Sequence, residues 1–356
     1  MIKDIIKGIF KDKFASAAFI ILLVMYTTIL LANFIAPYSK DWSDRNQSYA
    51  PPSKIFVINE QGKLSLPYTY NYKREFVPEL YQTIYTLDRS QKHYIRLFNK
   101  GEKYRFLGVI PTHRHFFGTD KGGRLYLLGT DINGRDVFSR LLFGGRISLT
   151  IGFLSLFILF PIGLLYGGVS GYFGGWIDII MMRFAEAVMA IPSFYLLIIL
   201  AAILPSNMTS TERFTLIVVI LALIGWAGFA RVVRGMVLSI KNEEFVLASK
   251  TIGASDLRII LKHILPQTTS YVIIAMTLSV PSYILAESGL SFLGLGIQQP
   301  DASWGNMLKE AQEYINILYR PWLLSPGMLI FIAVLSFNVI GDTIRDILDP
   351  KGKMRE

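Results

Sequence analysis

Residues 147–170 read ISLTIGFLSLFILFPIGLLYGGVS, a run of 24 residues without one charged side chain. A helix that crosses the hydrocarbon layer of a membrane needs about 20 mostly apolar residues, because each adds about 1.5 Å across a layer of about 30 Å. Buried helices of soluble proteins are rarely this long and this apolar. The stretch therefore predicts a membrane-spanning helix.

Five further stretches have the same character, so the sequence predicts an all-α polytopic membrane protein with six transmembrane helices. Only 17% of the 356 residues are charged, against about 25% in soluble proteins, and the mean hydropathy is +0.42. The six predicted spans are 14–36, 147–170, 187–204, 214–230, 268–286 and 322–340.

The distribution of positive charge predicts that both termini and residues 231–267 are cytoplasmic. Lysine and arginine collect in short loops on that side of a membrane. The first span is predicted to stay uncleaved, because its apolar run exceeds the about 7–15 residues of a signal-peptide core. The formal charge of +10 therefore calls for no nucleic-acid partner. The residues that set the orientation are Arg231, Arg234, Lys241, Lys250, Arg258 and Lys262 in the loop, with Arg345, Lys351, Lys353 and Arg355 at the C-terminal end.

The spans divide the chain into three predicted parts. Residues 1–36 form the cytoplasmic N-terminus and first helix, residues 37–146 an extracytoplasmic insertion domain, and residues 147–356 a five-helix core. The insertion is basic as well, but loops longer than about 60 residues are largely exempt from the charge rule.

The insertion between helices one and two is predicted to be small and β-rich. Residues 54–58 and 63–66 flank Asn-Glu-Gln-Gly, and residues 94–98 and 103–109 flank Asn-Lys-Gly-Glu. Short apolar and aromatic runs around such polar glycine turns are typical of β-hairpins. The insertion could cap the outer mouth, provide a platform for a soluble partner, or have only a packing role.

The loop between the fourth and fifth spans has the pattern of two short helices. Over residues 242–252 an apolar and small-residue stripe recurs at helical spacing. Gly253 suits the left-handed residue that ends a helix, Ser255 is placed to cap a second helix, and Pro266 is expected to end that helix near His263. The loop could dock another protein or rest on lipid, and the spacing of the apolar residues does not distinguish between these two roles. The stripe consists of Phe245, Ala248, Ser249 and Ile252.

Residues 245–266, FVLASKTIGASDLRIILKHILP, resemble the EAA loop of bacterial ABC-importer permeases. Gly253 and the Leu265-Pro266 pair stand at the family's spacing. Leu247 stands where the family typically has Glu, and Ser249 where it typically has Ala, so any charge contact through position 247 is in doubt. The resemblance implies a coupling helix near 243–253 that docks on an ATPase through Phe245, Leu247, Ala248, Ser249, Ile252, Gly253 and Ala254.

Other segments are similar to the oligopeptide/dipeptide/nickel branch of this family, and in particular to its second permease type. They are GTDINGRDVFSRLL (129–142), GRISL (145–149), GYFGGWID (171–178) with Arg183, AESGLSFLGLG (286–296) with SWGN (303–306), and FNVIGDTIRDILDP (337–350). Together they cover the first span and nearly all of 118–350. The family positions expected to be structural are Gly129, Thr130, Asp131, Gly134, Arg135, Asp136, Glu287, Gly294, Asn338, Gly341, Asp342 and Arg345.

The resemblance implies a type I ABC-importer permease fold in the bacterial cytoplasmic membrane. The expected partners are a second permease subunit in a heterodimer, two ATP-binding subunits, an extracytoplasmic peptide-binding protein and the lipid bilayer. ATP and Mg would be used by the ATPases, with no cofactor or metal bound by this chain. Glycines within 163–175 are expected at the permease–permease contact, and Asp178–Arg183 and Asp342–Arg345 are possible ion pairs near span ends.

Three alternatives stay open. Nickel or another small solute is a possible cargo, although no His, Cys or Met cluster lies inside a span, and adjacent Met181 and Met182 do not face each other on a helix. A self-sufficient channel or secondary transporter would need polar groups near mid-membrane. A membrane enzyme would need a nucleophile or acid–base pair within reach of each other, and the spans show none.

Overall fold

The computed structural model describes residues 1–59, 61–78, 82–106, 108–205 and 208–348. Its α-helices are α1 (Ile2–Lys11), α2 (Lys13–Leu30), α3 (Ala32–Ile35), α4 (Val137–Phe173), α5 (Gly175–Ala190), α6 (Ser193–Ala202), α7 (Ser210–Ile240), α8 (Glu244–Thr251), α9 (Asp256–Ile259), α10 (Thr269–Phe292), α11 (Trp304–Leu308), α12 (Tyr314–Tyr319) and α13 (Ser325–Leu348). Its strands are β1 (Phe56–Ile58), β2 (Leu64–Val77), β3 (Gln82–Leu97), β4 (Lys100–Phe106), β5 (Ile110–Arg114) and β6 (Phe117–Thr119).

Five helical segments of the described chain are long and apolar enough to cross a membrane, and a bent pair makes a sixth. The five confirm the predicted spans 14–36, 147–170, 214–230, 268–286 and 322–340. They are Lys13–Leu30, Val137–Phe173, Ser210–Ile240, Asp256–Phe292 and Pro321–Leu348.

The prediction of one continuous span over 187–204 is wrong. This stretch holds the end of α5 and all of α6, and the two helices meet at an angle of 77°. Pro192 lies at the break, and Ile191 before it is extended, with φ −84° and ψ 122°. A proline disfavours helical backbone in the residue before it, and this explains why the helix stops there.

The described chain separates into two compact units. One contains the described residues within 1–22, 149–290 and 332–348, and the other contains those within 23–148 and 291–331. The predicted three-part division stays a prediction, but residues 291–331, which lie far along the chain, group with the β-rich insertion.

The β-rich unit is built on a four-stranded antiparallel sheet in the order β1-β2-β3-β6. The predicted hairpin at 54–66 is confirmed, since Phe56 pairs with Tyr68 and Ile58 with Leu64; Glu60 in its turn lies outside the described residues. Tyr68, Tyr70 and Tyr72 of β2 are buried. Tyrosine suits these buried positions because its ring can pack while its hydroxyl keeps a hydrogen-bond partner. This explains why the sequence is rich in aromatic residues here.

The second predicted hairpin is wrong, since β3 does not pair with β4. β4 pairs instead with β5, with Phe106 opposite Ile110, and β3 pairs with β6. The chain reverses near Gly108, whose φ is +79°, and not at Gly101. In the sequence, Leu-Gly-Val at 107–109 has only the glycine as a turn signal. The polar stretch at 99–102 has a stronger turn signal, and the hairpin was therefore predicted there.

Within the helical unit, α4 and α7 are in direct backbone contact. A Cβ atom on Gly171 would lie 2.8 Å from the carbonyl oxygen of Arg234, and one on Gly167 would overlap that of Ala230. Glycines at this spacing let two backbones approach closely. The expectation that these glycines face a second permease is therefore corrected: they pack against this chain's own α7.

Candidate functional site

The predicted docking helix is present as α8, and its two sides differ in exposure. Phe245, Leu247 and Ile252 expose 41%, 49% and 83% of their surface, and Ala248 is also exposed. Ser249 is buried, and its hydroxyl donates to the carbonyl oxygen of Phe245 at 2.7 Å. Four predicted docking residues therefore present an apolar surface, whereas Ser249 lies on the side that packs on the chain itself with Val246.

Gly253 ends α8 as predicted. Its φ is +80°, its N–H donates to the carbonyl oxygen of Lys250 at 2.9 Å, and the N–H of Ala254 donates to that of Ser249 at 3.1 Å. This pair of bonds is the Schellman arrangement, which satisfies carbonyls that a helix end leaves free. Gly253 is exposed and Ala254 is half-buried.

The second helix of the loop does not stop at Pro266, so that prediction is wrong. The helical run continues from Asp256 to Phe292 through a π-turn, Ile260–Ile264, and a 3-10 turn, Leu265–Thr268. The N–H of Leu265 reaches back five residues to Ile260. A wider turn before the proline accommodates a residue without an N–H group, which would break a regular helix.

Two apolar side chains of this second helix were not predicted as part of the surface. Leu257 and Leu261 expose 59% and 44% of their area, and their spacing of four puts them on one helix face. Ser255 precedes α9 at the N-cap position, but its side chain makes no capping bond. An apolar pair at this spacing was visible in the sequence and could have extended the predicted surface.

The charged residues near the 231–267 loop pair differently from the prediction. Asp178 accepts two hydrogen bonds from the guanidinium of Arg234, each 2.5 Å long, whereas Arg183 pairs with Glu186 at 3.0 Å. Asp178 and Arg183 are five residues apart, which places them on different faces of α5. The bidentate Arg234–Asp178 pair fixes the end of α7, from which the loop departs.

The 129–136 motif forms a buried polar turn in the β-rich unit. Gly129 and Gly134 have φ values of +69° and +70°, and a Cβ on Gly134 would collide with the carbonyl oxygen of Asp44. The Thr130 hydroxyl accepts from the N–H of Ala50 at 2.7 Å. Asp131 accepts from the N–H of Arg135 at 2.9 Å and from its Nε at 2.6 Å. Gly129, Thr130, Asp131, Gly134 and Arg135 thus each have a backbone or packing role.

Asp136 precedes α4, and its carboxylate accepts from the N–H and the hydroxyl of Ser139 at 2.7 and 2.6 Å. This is the bonding of a helix N-cap. Burial raises the pKa of Asp136 to about 7. Burial and the nearby Asp131 carboxylate also raise the pKa of Glu310, which accepts from the N–H of Ile132 at 3.1 Å. No sequence pattern indicated Glu310, because it is 179 residues from Asp131 in the chain.

The remaining family positions occupy helix ends and packing contacts. Glu287 is fully buried in α10. Gly294 has φ +80°. Gly341 packs α13 against α10, where a Cβ would overlap Leu278. Asn338, Asp342 and Arg345 are exposed on α13, and among the described residues no ion pair joins the last two. The end of this motif, Asp349-Pro350, lies outside the described residues.

The SWGN motif, residues 303–306, buries its tryptophan against the first turns of α4. Ser303 and Asn306 form a reciprocal capping box at the start of α11. Trp304 is buried, and its indole N–H donates to the carbonyl oxygen of Leu141 in α4 at 3.0 Å. Arg146 donates to the carbonyl oxygens of Ile29 and Leu30 at the end of α2. Trp304 of the SWGN motif and Arg146 of the GRISL motif therefore each bind carbonyl groups near a helix end.

Comparison with known proteins assigns the chain to a family. A family model described as the binding-protein-dependent transport system inner membrane component matches residues 160–353. A second, the N-terminal TM domain of oligopeptide transport permease C, matches residues 1–52. Residues 53–159, which contain the sheet, lie between the two matches.

Individual relatives support the same assignment. The dipeptide transport system permease protein DppC of Bacillus subtilis is 46% identical over 243 residues, 68% of this chain and 70% of that protein. The oligopeptide transport system permease protein OppC of the same species is 42% identical over 68% of this chain and 73% of that protein. OppC of Haemophilus influenzae is 43% identical over 64% of this chain and 71% of that protein.

Proposed function

This chain belongs to the family of inner membrane components of binding-protein-dependent transport systems, and from that premise we propose that it is one of two membrane-spanning subunits of an ATP-driven peptide importer. It is a permease subunit, not an enzyme. The proposed partners are a second permease, two ATP-binding subunits and an extracytoplasmic peptide-binding protein. ATP and Mg are used by the ATP-binding subunits.

The observation that carries the ATP-driven mechanism is the exposed apolar side of α8. Phe245, Leu247 and Ile252 are all exposed, whereas Val246 and Ser249 are buried against the chain. Exposed apolar area costs about 25 cal/mol for each Å² left in water, so a groove on an ATP-binding subunit would gain by covering it. Because α8 is followed by a continuous helical run into α10, movement of a docked α8 would pass directly to a span.

Docking on a protein is favoured over resting on lipid. A lipid-surface helix spreads lysine and arginine along its polar edge, where they meet phosphate groups. In α8 the ammonium group of Lys250 lies over the ring of Tyr172, 4.8 Å from its centre, and the helix begins with exposed Glu243 and Glu244. The start of α8 is thus acidic, which an anionic lipid surface does not favour.

Peptide is the proposed cargo because the similar proteins in Bacillus subtilis and Haemophilus influenzae are dipeptide and oligopeptide permeases. Nickel, the alternative within this branch, has no such support. The proposed location is the bacterial cytoplasmic membrane, with both termini and the 231–267 loop in the cytoplasm. The β-rich insertion would then face outward, where it could meet the peptide-binding protein.

The test is uptake by the complete system. The chain and the proteins that purify with it would be reconstituted in liposomes with ATP enclosed and peptide-binding protein outside. Labelled di- and oligopeptides should accumulate only with ATP, and radioactive nickel should not. Nickel accumulation without peptide accumulation, or peptide entry without ATP, would contradict the proposal.

A further inference from the structure

The turn that joins α4 to α5, residues 170–178, contacts the 231–267 loop at four separate points. It carries the GYFGGWID motif, and the loop carries the EAA-like motif, so two sequence motifs that lie far apart in the chain meet here. Both belong to the helical unit. The turn itself is compact, with Gly174 and Gly175 at φ +67° and +56°.

Two of the contacts hold the beginning of the loop. Arg234 binds Asp178 in the bidentate pair, and the hydroxyl of Ser170 donates to the same carboxylate. Seven residues further on, the ammonium group of Lys241 donates to the carbonyl oxygen of Gly171 at 3.1 Å. The last turn of α7 is therefore tied to the last turn of α4.

The other two contacts hold the short helices themselves, and both are made by Tyr172. Its ring is buried and lies beneath the ammonium group of Lys250 on α8, in the geometry of a cation–π contact. Its hydroxyl donates to Oδ1 of Asp256, the first residue of α9, at 2.6 Å. A hydrogen bond to an ionised carboxylate is stronger than one between neutral groups. One side chain thus joins α8 and α9 to the end of α4.

These contacts supply a rigidity that the loop cannot supply alone. Isolated helices shorter than about 12–15 residues are marginal in water, and α8 has 8 residues. A docked helix transmits motion only if it keeps its position relative to the spans that must move.

We propose that the 170–178 turn transmits the movement of the docked loop to the second and third spans. Tyr172 is the positioning residue, and Asp256 is its partner. The inference rests on the proposed docking of α8 to an ATP-binding subunit and extends it. Docking uses Phe245, Leu247 and Ile252, whereas transmission uses the contacts of Tyr172 with Lys250 and Asp256, so the two functions are separable by substitution.

The substitution that tests this is Tyr172→Phe, which removes only the hydroxyl and leaves the buried ring in place. Asp256 keeps a favourable position without it, because a carboxylate at the start of a helix is stabilised there. The matched control is Tyr166→Phe on the same helix, whose hydroxyl donates to a partner outside the loop, the carbonyl oxygen of Met181, at 2.7 Å.

In the reconstituted complex, Tyr172→Phe and Asp256→Ala should each bind the ATP-binding subunits normally but transport fewer peptides per ATP, by about tenfold, in line with the loss of a hydrogen bond to a charged group. The double variant should be no worse than Asp256→Ala alone, because Tyr172→Phe removes only the hydrogen bond that Asp256→Ala has already removed. Asp256→Asn, which keeps an acceptor oxygen but loses the charge, should lose less transport per ATP than Asp256→Ala. Wild-type coupling in Tyr172→Phe, or additive losses in the double variant, would overturn the proposal.

Hydrogen exchange of the chain alone in lipid nanodiscs separates this proposal from the docking proposal. Backbone amides of residues 244–264 should exchange faster in Tyr172→Phe than in wild type or Tyr166→Phe. If no ATP-binding subunit associates with wild type, the docking proposal fails, and transmission to the spans fails with it. If hydrogen exchange is unchanged in Tyr172→Phe, the turn does not hold the loop in position, and the proposal is overturned even if α8 docks an ATP-binding subunit.

Discussion

At the scale of single residues, the glycines of this chain are required for two different physical reasons. Gly134 and Gly167 leave no room for a Cβ atom, whereas Gly253 has no other atom within 4 Å of where its Cβ would lie. The cost at Gly253 comes from its φ of +80°. A left-handed backbone costs a residue with a Cβ about 1–2 kcal/mol, and a β-branched residue is a still poorer fit.

Gly253→Val is expected to weaken coupling between ATP hydrolysis and uptake, because the strained residue would change the path from α8 to α9. Gly235→Val is the matched control. Gly235 also has no atom within 4 Å, but it lies inside α7 with ordinary helical backbone. Uptake per ATP, measured at equal expression, should fall only for Gly253→Val. Equal effects of the two substitutions would show that the backbone conformation at 253 does not matter.

Asp136 predicts a specific pH dependence of stability. Its pKa is raised to about 7 in the folded protein, against about 3.9 in an unfolded chain, so the folded state binds the proton more tightly. The stability that this proton contributes is fully present below the unfolded pKa and is lost as the pH rises towards about 7. Asp136→Asn keeps an oxygen for Ser139 but cannot ionise.

The melting temperature of Asp136→Asn, minus that of wild type, should therefore increase between about pH 4 and pH 8, because only wild type carries the ionising group. Thermal unfolding in detergent at a series of pH values measures this difference. Taking the difference removes the contributions of other titrating groups, including that of Glu310. A difference that is constant with pH, or that decreases, would contradict the burial-driven shift.

At the scale of elements, the spans were predictable because hydropathy over about 20 residues is a strong local signal. The breaks were less predictable. Pro192 interrupts its helix although it lies within a predicted span, and Pro266 does not interrupt its helix although it was predicted to end one. The difference lies in the backbone before each proline. Ile191 is extended, whereas the residues before Pro266 form a π-turn whose first and last residues, Ile260 and Ile264, are buried.

Packing between α4 and α7 provides a test at this scale. Gly167→Ala should lower the melting temperature and the yield of folded protein, because the added methyl group meets the backbone of Ala230. Overpacking of this kind costs about 1–3 kcal/mol. Gly289→Ala on α10, where nothing lies within 4 Å, should be tolerated. If both variants are equally stable, the two helices are not in direct backbone contact.

The site itself was only partly visible in the sequence. The exposed side of α8 and the left-handed Gly253 follow from helical spacing and turn chemistry. The inward direction of Ser249 does not, because a small polar residue suits either side of a short helix. The partners of Arg234, Asp131 and Asp256 also could not be predicted, since each contact joins segments that are distant in the chain.

At the scale of the whole molecule, the absence of cysteine from the sequence makes the proposed orientation directly testable. Ser255→Cys lies in the 231–267 loop, and Leu64→Cys lies at an 87% exposed position of β2. A membrane-impermeant maleimide on spheroplasts should label Leu64→Cys at once. It should label Ser255→Cys only after the membrane is permeabilised. The reverse pattern would place the β-rich insertion in the cytoplasm and contradict the proposed topology.

The central claim is that the exposed side of α8 docks an ATP-binding subunit, and affinity purification from the native membrane tests it most directly. Wild type would be compared with Phe245→Asp/Ile252→Asp and with a control, Phe76→Asp/Val109→Asp, which changes two exposed apolar residues of the β-rich insertion. ATP-binding subunits should purify with wild type and the control and be lost from the α8 variant, while the second permease stays in all three. Retention of the ATP-binding subunits by the α8 variant, or their absence from wild type under mild detergent conditions, would contradict the claim.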